Sequence, residues 1–220
     1  MSGFLVSVLL CHNRLRHMVP MALESFRSQD HEPLELVVVD DGLEPIKDLV
    51  ESIPNCQYIW HPAKNLSEKR NVGIRAAHGL VIAHFDADDW SGPHRIYHQL
   101  DALLKRPAAR VNGYDRAYWY DFVRKQASKY QGIVWSATMI YWREWALGNP
   151  WDETRSFCED EPFVRRAREK NVLMAMDGGP HFVATMHDRN ARRTPGDQQR
   201  WPIVAVEQLP PAFRQVANLC

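Results

Sequence analysis

The stretch LVIAHFDADDW, residues 80 to 90, decides the fold: a short apolar run ends in three aspartates, Asp86, Asp88 and Asp89. Too short for a helix and free of helical spacing, the run reads as a buried strand of a parallel sheet. Upstream, LVSVLL (5 to 10), LELVVVD (34 to 40) and YIWH (58 to 61) read as three more strands. Between the first two, Leu15, Met18, Val19, Ala22, Leu23 and Phe26 keep the i, i+3, i+4, i+7 spacing of an amphipathic helix. NLSEKRNVGIRAAHG (65 to 79) predicts another helix, opened by a capping box of Asn65 and Glu68 and closed on Gly79. Strands alternating with helices imply an α/β fold with right-handed connections and a mainly parallel sheet.

The second half is less regular. Residues 94 to 105 read as a helix, while RAYWYDFV (116 to 123) and GIVWSATMIYW (132 to 142) read as strands rich in aromatics. SFCEDEPFVRRAREKN (156 to 171) predicts a helix with a second capping box, Ser156 and Glu159, and basic residues toward its C-terminal end. HFVATMH (181 to 187) reads as a last strand, and the polar, turn-rich residues 188 to 200 as a mobile loop.

Composition narrows the class. At 220 residues and 45% hydrophobic content the chain can bury an ordinary core as a single domain. Lys plus Arg equals Asp plus Glu at 27 each, so no global field points to nucleic acid or an anionic membrane. The cysteines Cys11, Cys56, Cys158 and Cys220 are scattered without a CxxC pair, which fits reduced thiols rather than a disulfide frame or a zinc site. With no apolar run of membrane-spanning length and no signal-peptide pattern at the N-terminus, a cytoplasmic location is expected.

In open α/β sheets ligands sit beyond the carboxyl ends of the strands, where Asp40 and Asp41 close the second strand and Asp86, Asp88 and Asp89 the fourth. Clustered carboxylates raise one another's pKa unless a cation or hydrogen-bond donors neutralise them. An oxygen-rich site of this kind suits Mg²⁺ or Mn²⁺, ions that also take phosphate oxygens. A lone DxD is as readily a turn, and Asp89 before WSGP reads as a structural cap. Trp90 breaks an EF-hand spacing, and neither a Walker lysine loop nor GxGxxG occurs.

Four segments in order, VSVLLCHNR, ALESFRSQDHEPLELVVVDDG, KNLSEKRNVGIRAAHGLVIAHFDADD and CEDEPFVRRA, resemble the family 2 nucleotide-sugar glycosyltransferases. The resemblance covers residues 4 to 95 well and 133 to 190 loosely. It implies a single GT-A (Rossmann-like) domain over 1 to 220, with a mainly parallel mixed sheet flanked by helices. Residues 1 to 95 would form the nucleotide-binding half and 96 to 220 the acceptor-binding half. By position, Asp41 resembles the uracil-binding aspartate, Cys11 to Asn13 the turn beside the base, and Arg70 the basic residue on the nucleotide. Asp86 and Asp88 resemble the DxD pair, Asp88 holding the metal and Asp86 lying near the ribose or sugar. His187 resembles a histidine that completes the metal site in some members, with His181 as its substitute.

Asp160, second in the Glu-Asp pair, resembles the general base. It falls on one stripe with Phe163, Val164 and Ala167, and a carboxylate aimed at an apolar face needs a task or a partner. Glu159 and Trp135 are expected on the acceptor side; Trp142, Trp145 and Trp151 read chiefly as core. Arg189, Arg192 and Arg193 read either as a loop closing on the diphosphate or as a solvated basic loop.

Three departures from the family pattern stand out: Leu43 replaces a serine, His12 an aromatic and Cys158 a glycine. The expected activity is metal-dependent transfer of a sugar, with inversion, from a nucleoside diphosphate sugar, UDP foremost, to a hydroxyl acceptor. The acceptor is open among saccharide, protein, small molecule and nucleic acid. The rivals are a nucleotidyltransferase of similar fold, whose glycine-rich first loop is missing here, and a non-catalytic nucleotide-sugar binding protein.

Overall fold

In the computed structural model residues 3–187 and 201–219 are described. The elements of the first half are β1 (Val6–His12), α1 (Val19–Arg27), β2 (Leu34–Asp40), α2 (Lys47–Val50), β3 (Cys56–Trp60), α3 (Leu66–Ala76), β4 (Val81–Asp86) and β5 (Trp90–Ser91). There follow α4 (Arg95–Lys105), β6 (Val111–Asp121), β7 (Gln126–Gln131), β8 (Ile140–Trp142), α5 (Arg143–Gly148), α6 (Glu161–Glu169), β9 (Leu173–Asp177), β10 (Phe182–Met186), β11 (Ile203–Val204) and α7 (Pro211–Val216). The strands form one mixed sheet in the order β11-β7-β6-β8-β4-β1-β2-β3, with β9 and β10 paired to β6 and β5 to β10. β1, β2, β3 and β4 are mutually parallel; β8 runs against β4, and β6 against β8 and β7.

The period of two explains why the central strands, Ser7, Glu35 and His84 apart, are apolar on both faces. Val6, Val8 and Leu10 face one core with Val19, Leu23 and Phe26 of α1 and Ile96, Leu100 and Leu103 of α4. Leu9, Val37, Val39 and Ile82 face the other, against Ile74 of α3, Trp145 of α5 and Phe163 and Val164 of α6. Buried on both faces, such strands carry no polar alternation. No helix among the described residues is long and apolar enough to cross a membrane.

Helix boundaries follow the capping chemistry. Asn65 caps α3 by accepting from the Glu68 backbone N–H at 3.0 Å, and the Glu68 carboxylate reaches back to the Lys64 N–H at 2.8 Å. The far end differs from the expectation: α3 stops at Ala76, Ala77 is extended, and Gly79 is not its cap. Gly79 is needed for another reason, since a Cβ there would lie 2.5 Å from Ser7 Oγ and 2.8 Å from the Leu5 carbonyl oxygen. Its N–H donates to Ser7 Oγ and to Glu35, whose buried carboxylate also accepts from the Ser7 hydroxyl and the His78 N–H. Burial pushes the Glu35 carboxyl upward, but the donors from Ser7, His78 and Gly79 outweigh it and hold the group below its ordinary value.

Two other expectations are corrected. Residues 132 to 142 are strand only at Ile140–Trp142; Ser136–Thr138 forms a 3-10 turn. The Thr138 hydroxyl donates to the Trp135 carbonyl at 2.8 Å and accepts the Tyr114 N–H at 3.0 Å, replacing ladder bonds with side-chain bonds. The 156 to 171 helix begins only at Glu161, with Pro162 in its first turn and Asp160 as N-cap residue, so the box of Ser156 and Glu159 does not form. Cys158, at φ 50°, sits in the left-handed region that favours glycine and ends any helical path through residues 156 to 160.

Two outcomes test this. Glu35→Gln leaves donors of β1 and the 78–79 turn without a charged acceptor and should cost about 1–3 kcal/mol in urea denaturation. The wild-type protein should lose the Glu35 contribution as pH falls below the ordinary carboxylate range, and the variant should lack that part of the acid sensitivity. At the second position Cys158→Val, β-branched in left-handed backbone, should cost about 1–3 kcal/mol, and Cys158→Gly distinctly less.

Candidate active site

Strand register brings the motifs to one rim. Cys11 lies opposite Val39 of β2 and Asp86 of β4, and His12 opposite Asp40, so the three strands end together. The adjacent aspartates then part. Asp40 is fully buried and accepts from His12 Nδ1, the Gly42 and Ile46 N–H groups at 2.8 and 2.9 Å, and the Tyr58 hydroxyl at 2.7 Å. It holds the loop after β2. Asp41 faces the rim, where its Oδ1 accepts from Asn13 Nδ2 at 2.8 Å and Lys69 Nζ at 2.6 Å. Lys69 also donates to the His12 carbonyl at 2.9 Å. Burial pushes the Cys11 thiol up to about 12, against the pull of Arg70 and Lys69, so the group stays a neutral thiol between the two cations.

Asp86, Asp88 and Asp89 form the acidic end of the rim. One carboxylate oxygen from each lies within 4.8 Å of the others, because a tight turn closes on the bond from the Asp89 N–H to the Asp86 carbonyl. β10 completes the cluster: His187 Nε2 lies 3.0 Å from Asp88 Oδ2, and the Thr185 N–H donates to Asp89 Oδ1 at 2.8 Å. Asp89 therefore differs from the structural cap expected of it. It caps no helix and belongs to the carboxylate group.

Burial pushes the Asp86 carboxyl up to about 6, with Arg70 opposing the rise and Asp88 adding to it. Burial and then the charges of Asp88 and Asp86 push Asp89 well above the carboxylate range. Oxygen donors at this spacing, with charges that repel one another in low dielectric, fit a hard divalent cation. Asp86, Asp88, Asp89 and His187 are the residues that would hold it.

On the far side of the rim, Arg70 of α3 donates from Nη1 to Glu159 Oε1 and from Nη2 to Ser136 Oγ, each at 2.9 Å. Its guanidinium lies 4.3 Å over the ring of Trp151. Burial disfavours the cation, but Glu159 and Asp86 more than offset this and its pKa is raised. Asp160, next to Glu159, is half-buried at the start of α6 and makes no capping bond with its side chain. Trp135 is half-buried beside Ser136, edge-on to Tyr130 with centroids 4.3 Å apart. His181 stacks on His98 with ring centroids 4.3 Å apart, whereas His187 is the histidine in contact with Asp88. Trp142, Trp145 and Trp151 pack on Phe4 and Phe163. Asp188, Arg189, Asn190, Arg192 and Arg193 lie outside the described residues.

Lys69 and Ser136 carried no motif signal of their own. Lys69 was hidden beside the motif arginine, although one helical step separates the directions of the two side chains. Ser136 sits in a stretch that read as strand.

The model of glycosyl transferase family 2 matches residues 7–160. An uncharacterized glycosyltransferase of Nostoc sp. is 31% identical over 97 residues, covering 41% of this chain and 30% of that relative. The putative glycosyltransferase EpsH of Bacillus subtilis is 32% identical over 93 residues, covering 40% of this chain and 27% of EpsH. The matches thus span less than a third of the length of these relatives. Among solved structures, S. aureus TarS 1-349 in complex with UDP superposes with a TM-score of 0.67 at 19% identity, covering 82% of this chain and 60% of that one. The mannosyltransferase PcManGT from Pyrobaculum calidifontis, in complex with GDP-Man and Mn2+, gives a TM-score of 0.66 at 14% identity, covering 86% and 59%. The sheet order, the motif-bearing strand ends and these likenesses agree: the chain has the GT-A fold and belongs to glycosyl transferase family 2.

Proposed function

We propose that this chain transfers a sugar from a UDP-sugar to an acceptor hydroxyl with inversion, and that it works with Mn²⁺ or Mg²⁺. The observation that carries the reading is the group of Asp86, Asp88 and Asp89 with His187 on Asp88, at the strand ends where Asp41 and Lys69 also lie. TarS in complex with UDP or UDP-GlcNAc and PcManGT with GDP-Man and Mn2+ support the donor class. A bound divalent cation would supply charge neutralisation for the departing diphosphate.

Asp41 supports uracil over guanine. Both of its hydrogen bonds, from Asn13 and Lys69, go to Oδ1, leaving Oδ2 to accept one N–H. Uracil offers a single imide N–H flanked by carbonyls, and the remaining Lys69 proton suits one of those oxygens. Guanine presents two adjacent donors and would need both carboxylate oxygens. Asp160 takes the proton of the acceptor hydroxyl as that oxygen bonds to the anomeric carbon, and the bond from this carbon to the diphosphate oxygen breaks with its electron pair leaving on the diphosphate. Attack opposite the leaving group in one displacement inverts the anomeric centre.

UDP with Mn²⁺ should raise the melting temperature of the wild-type protein and leave Asp88→Asn unmoved; an equal shift in both rejects the metal assignment. The ion-free protein should lose stability as pH rises through about 6, because folded Asp86 binds its proton more tightly than the unfolded chain does. Stabilisation by Mn²⁺ should accordingly be larger above that pH than at pH near 5. Asp160→Asn should keep UDP affinity while turnover falls about 10²- to 10⁴-fold. Retained turnover removes Asp160 from the mechanism.

A further inference from the structure

We infer that Arg70 is a positioning residue: it fixes the Glu159–Asp160 turn on the acceptor side of the site, while its neighbour Lys69 is the cation that serves the nucleotide. The inference rests on the reading of Asp160 as the base. Arg70 is 1% exposed, with one arm of its fork on Glu159, the other on Ser136 and its face on Trp151. These bonds use two of its five N–H donors, and at 1% exposure the guanidinium offers a phosphate or base oxygen no open approach to the others. Lys69 donates to Asp41 and to the His12 carbonyl, both at the base end of the rim, and its ammonium keeps a third proton.

The contacts converge on Asp160 from two directions. Along the chain, the Arg70 bond holds Glu159, the residue immediately before it. Through space, the Trp151 ring meets both the Arg70 guanidinium, at 4.3 Å, and the Phe163 ring, at 4.2 Å and tilted by only 7°. Phe163 belongs to α6, which Asp160 opens. Trp151 is itself fixed by Asn71, whose side chain accepts the Trp151 N–H and donates to its carbonyl, both at 2.9 Å. Asn65 and Asn71 also bond to Glu153 at 2.6 and 2.8 Å, so α3 grips the segment from Trp151 to Glu153 at several points. This bracing compensates for Cys158, whose left-handed backbone strains the same turn. A planar fork that engages two oxygens while stacking on an indole cannot be replaced by lysine.

The test compares Arg70→Lys, Glu159→Gln, their double variant, Lys69→Met and Asp160→Asn. UDP affinity is measured by calorimetry with Mn²⁺, and turnover as hydrolysis of whichever UDP-sugar the wild-type protein hydrolyses fastest. Arg70→Lys and Glu159→Gln should bind UDP within about threefold of wild type while kcat falls about 10- to 100-fold, the cost of a base displaced by a fraction of an ångström to one ångström. The double variant should fall no further than the worse single, since both break one linkage. Lys69→Met should show the reverse split, with UDP weakened about tenfold or more. The role is overturned if Arg70→Lys weakens UDP tenfold with kcat retained, or if the two kcat losses multiply. Should Arg70→Lys fail to fold, full turnover in Glu159→Gln overturns it alone. If Asp160→Asn loses turnover and Glu159→Gln does not, only the positioning role falls; if Asp160→Asn keeps its turnover, the base assignment falls and takes the positioning role with it.

Discussion

Three carboxylates crowded at the end of one strand, each at least partly buried, set the terms for the structure around them. Asp86 and Asp89 are both driven toward protonation by burial, and the charge of Asp88 adds to the rise in each. An unpaired buried charge is costly enough that such an arrangement survives only with compensation nearby. Two almost fully buried arginines supply part of it from opposite layers of the fold, Arg70 from α3 and Arg95 from α4. Arg95 is held by Ser91, Gln99 and the Ala137 carbonyl and lies over Phe85 and Phe182; burial lowers its pKa to about 10, yet it remains a cation at neutral pH. The remaining compensation fits a divalent ion.

The acidic group also draws on the second half of the chain. β1, β2 and β4 bring their ends to the rim, and further donors come from the end of β10. β10 runs parallel to β6 with Met186 opposite Asp121, and pairs antiparallel with β5 at Trp90 and Ser91. That placement carries Thr185 to Asp89 and His187 to Asp88 across nearly 100 residues of sequence, in contacts separated by 96 and 99 positions. The second half of the chain thus hangs on β6, and through β10 it completes a site whose charges come from the first half.

How much of this could be read in advance follows from the range of the interactions. β1, β2, β4 and α3 declare themselves because both faces of the strands are buried and because Asn65 and Glu68 act within four residues of each other. The failures all involve distant partners. Ser156 and Glu159 have capping-box spacing, but Arg70, 89 positions away, takes the Glu159 carboxylate and Cys158 turns the backbone left-handed. The aromatic run 132 to 142 has strand composition, but Thr138 gives its hydroxyl to a turn and to Tyr114, 24 positions back. Asp89 has the look of a cap because the strand that uses it, β10, is nowhere near it in sequence. A local pattern proposes a partner, and a stronger non-local partner overrides it.

Adjacent identical or like-charged residues show the principle at its sharpest. Asp40 and Asp41 differ by one position at a strand end, where successive side chains point to opposite sides. One is consumed by four bonds that hold the following loop and its neighbours, and the other is presented to the rim with one oxygen uncommitted. Lys69 and Arg70 differ by one position on a helix, where successive side chains diverge by about 100°. One turns to the end where Asp41 lies and the other toward Trp151, Ser136 and Glu159. In both pairs the sign of the charge is the same and the backbone period sets which way each residue faces, so a motif written as a string of letters conflates two roles. The strand and helix periods separate the residue bound into the scaffold from the one turned to the rim.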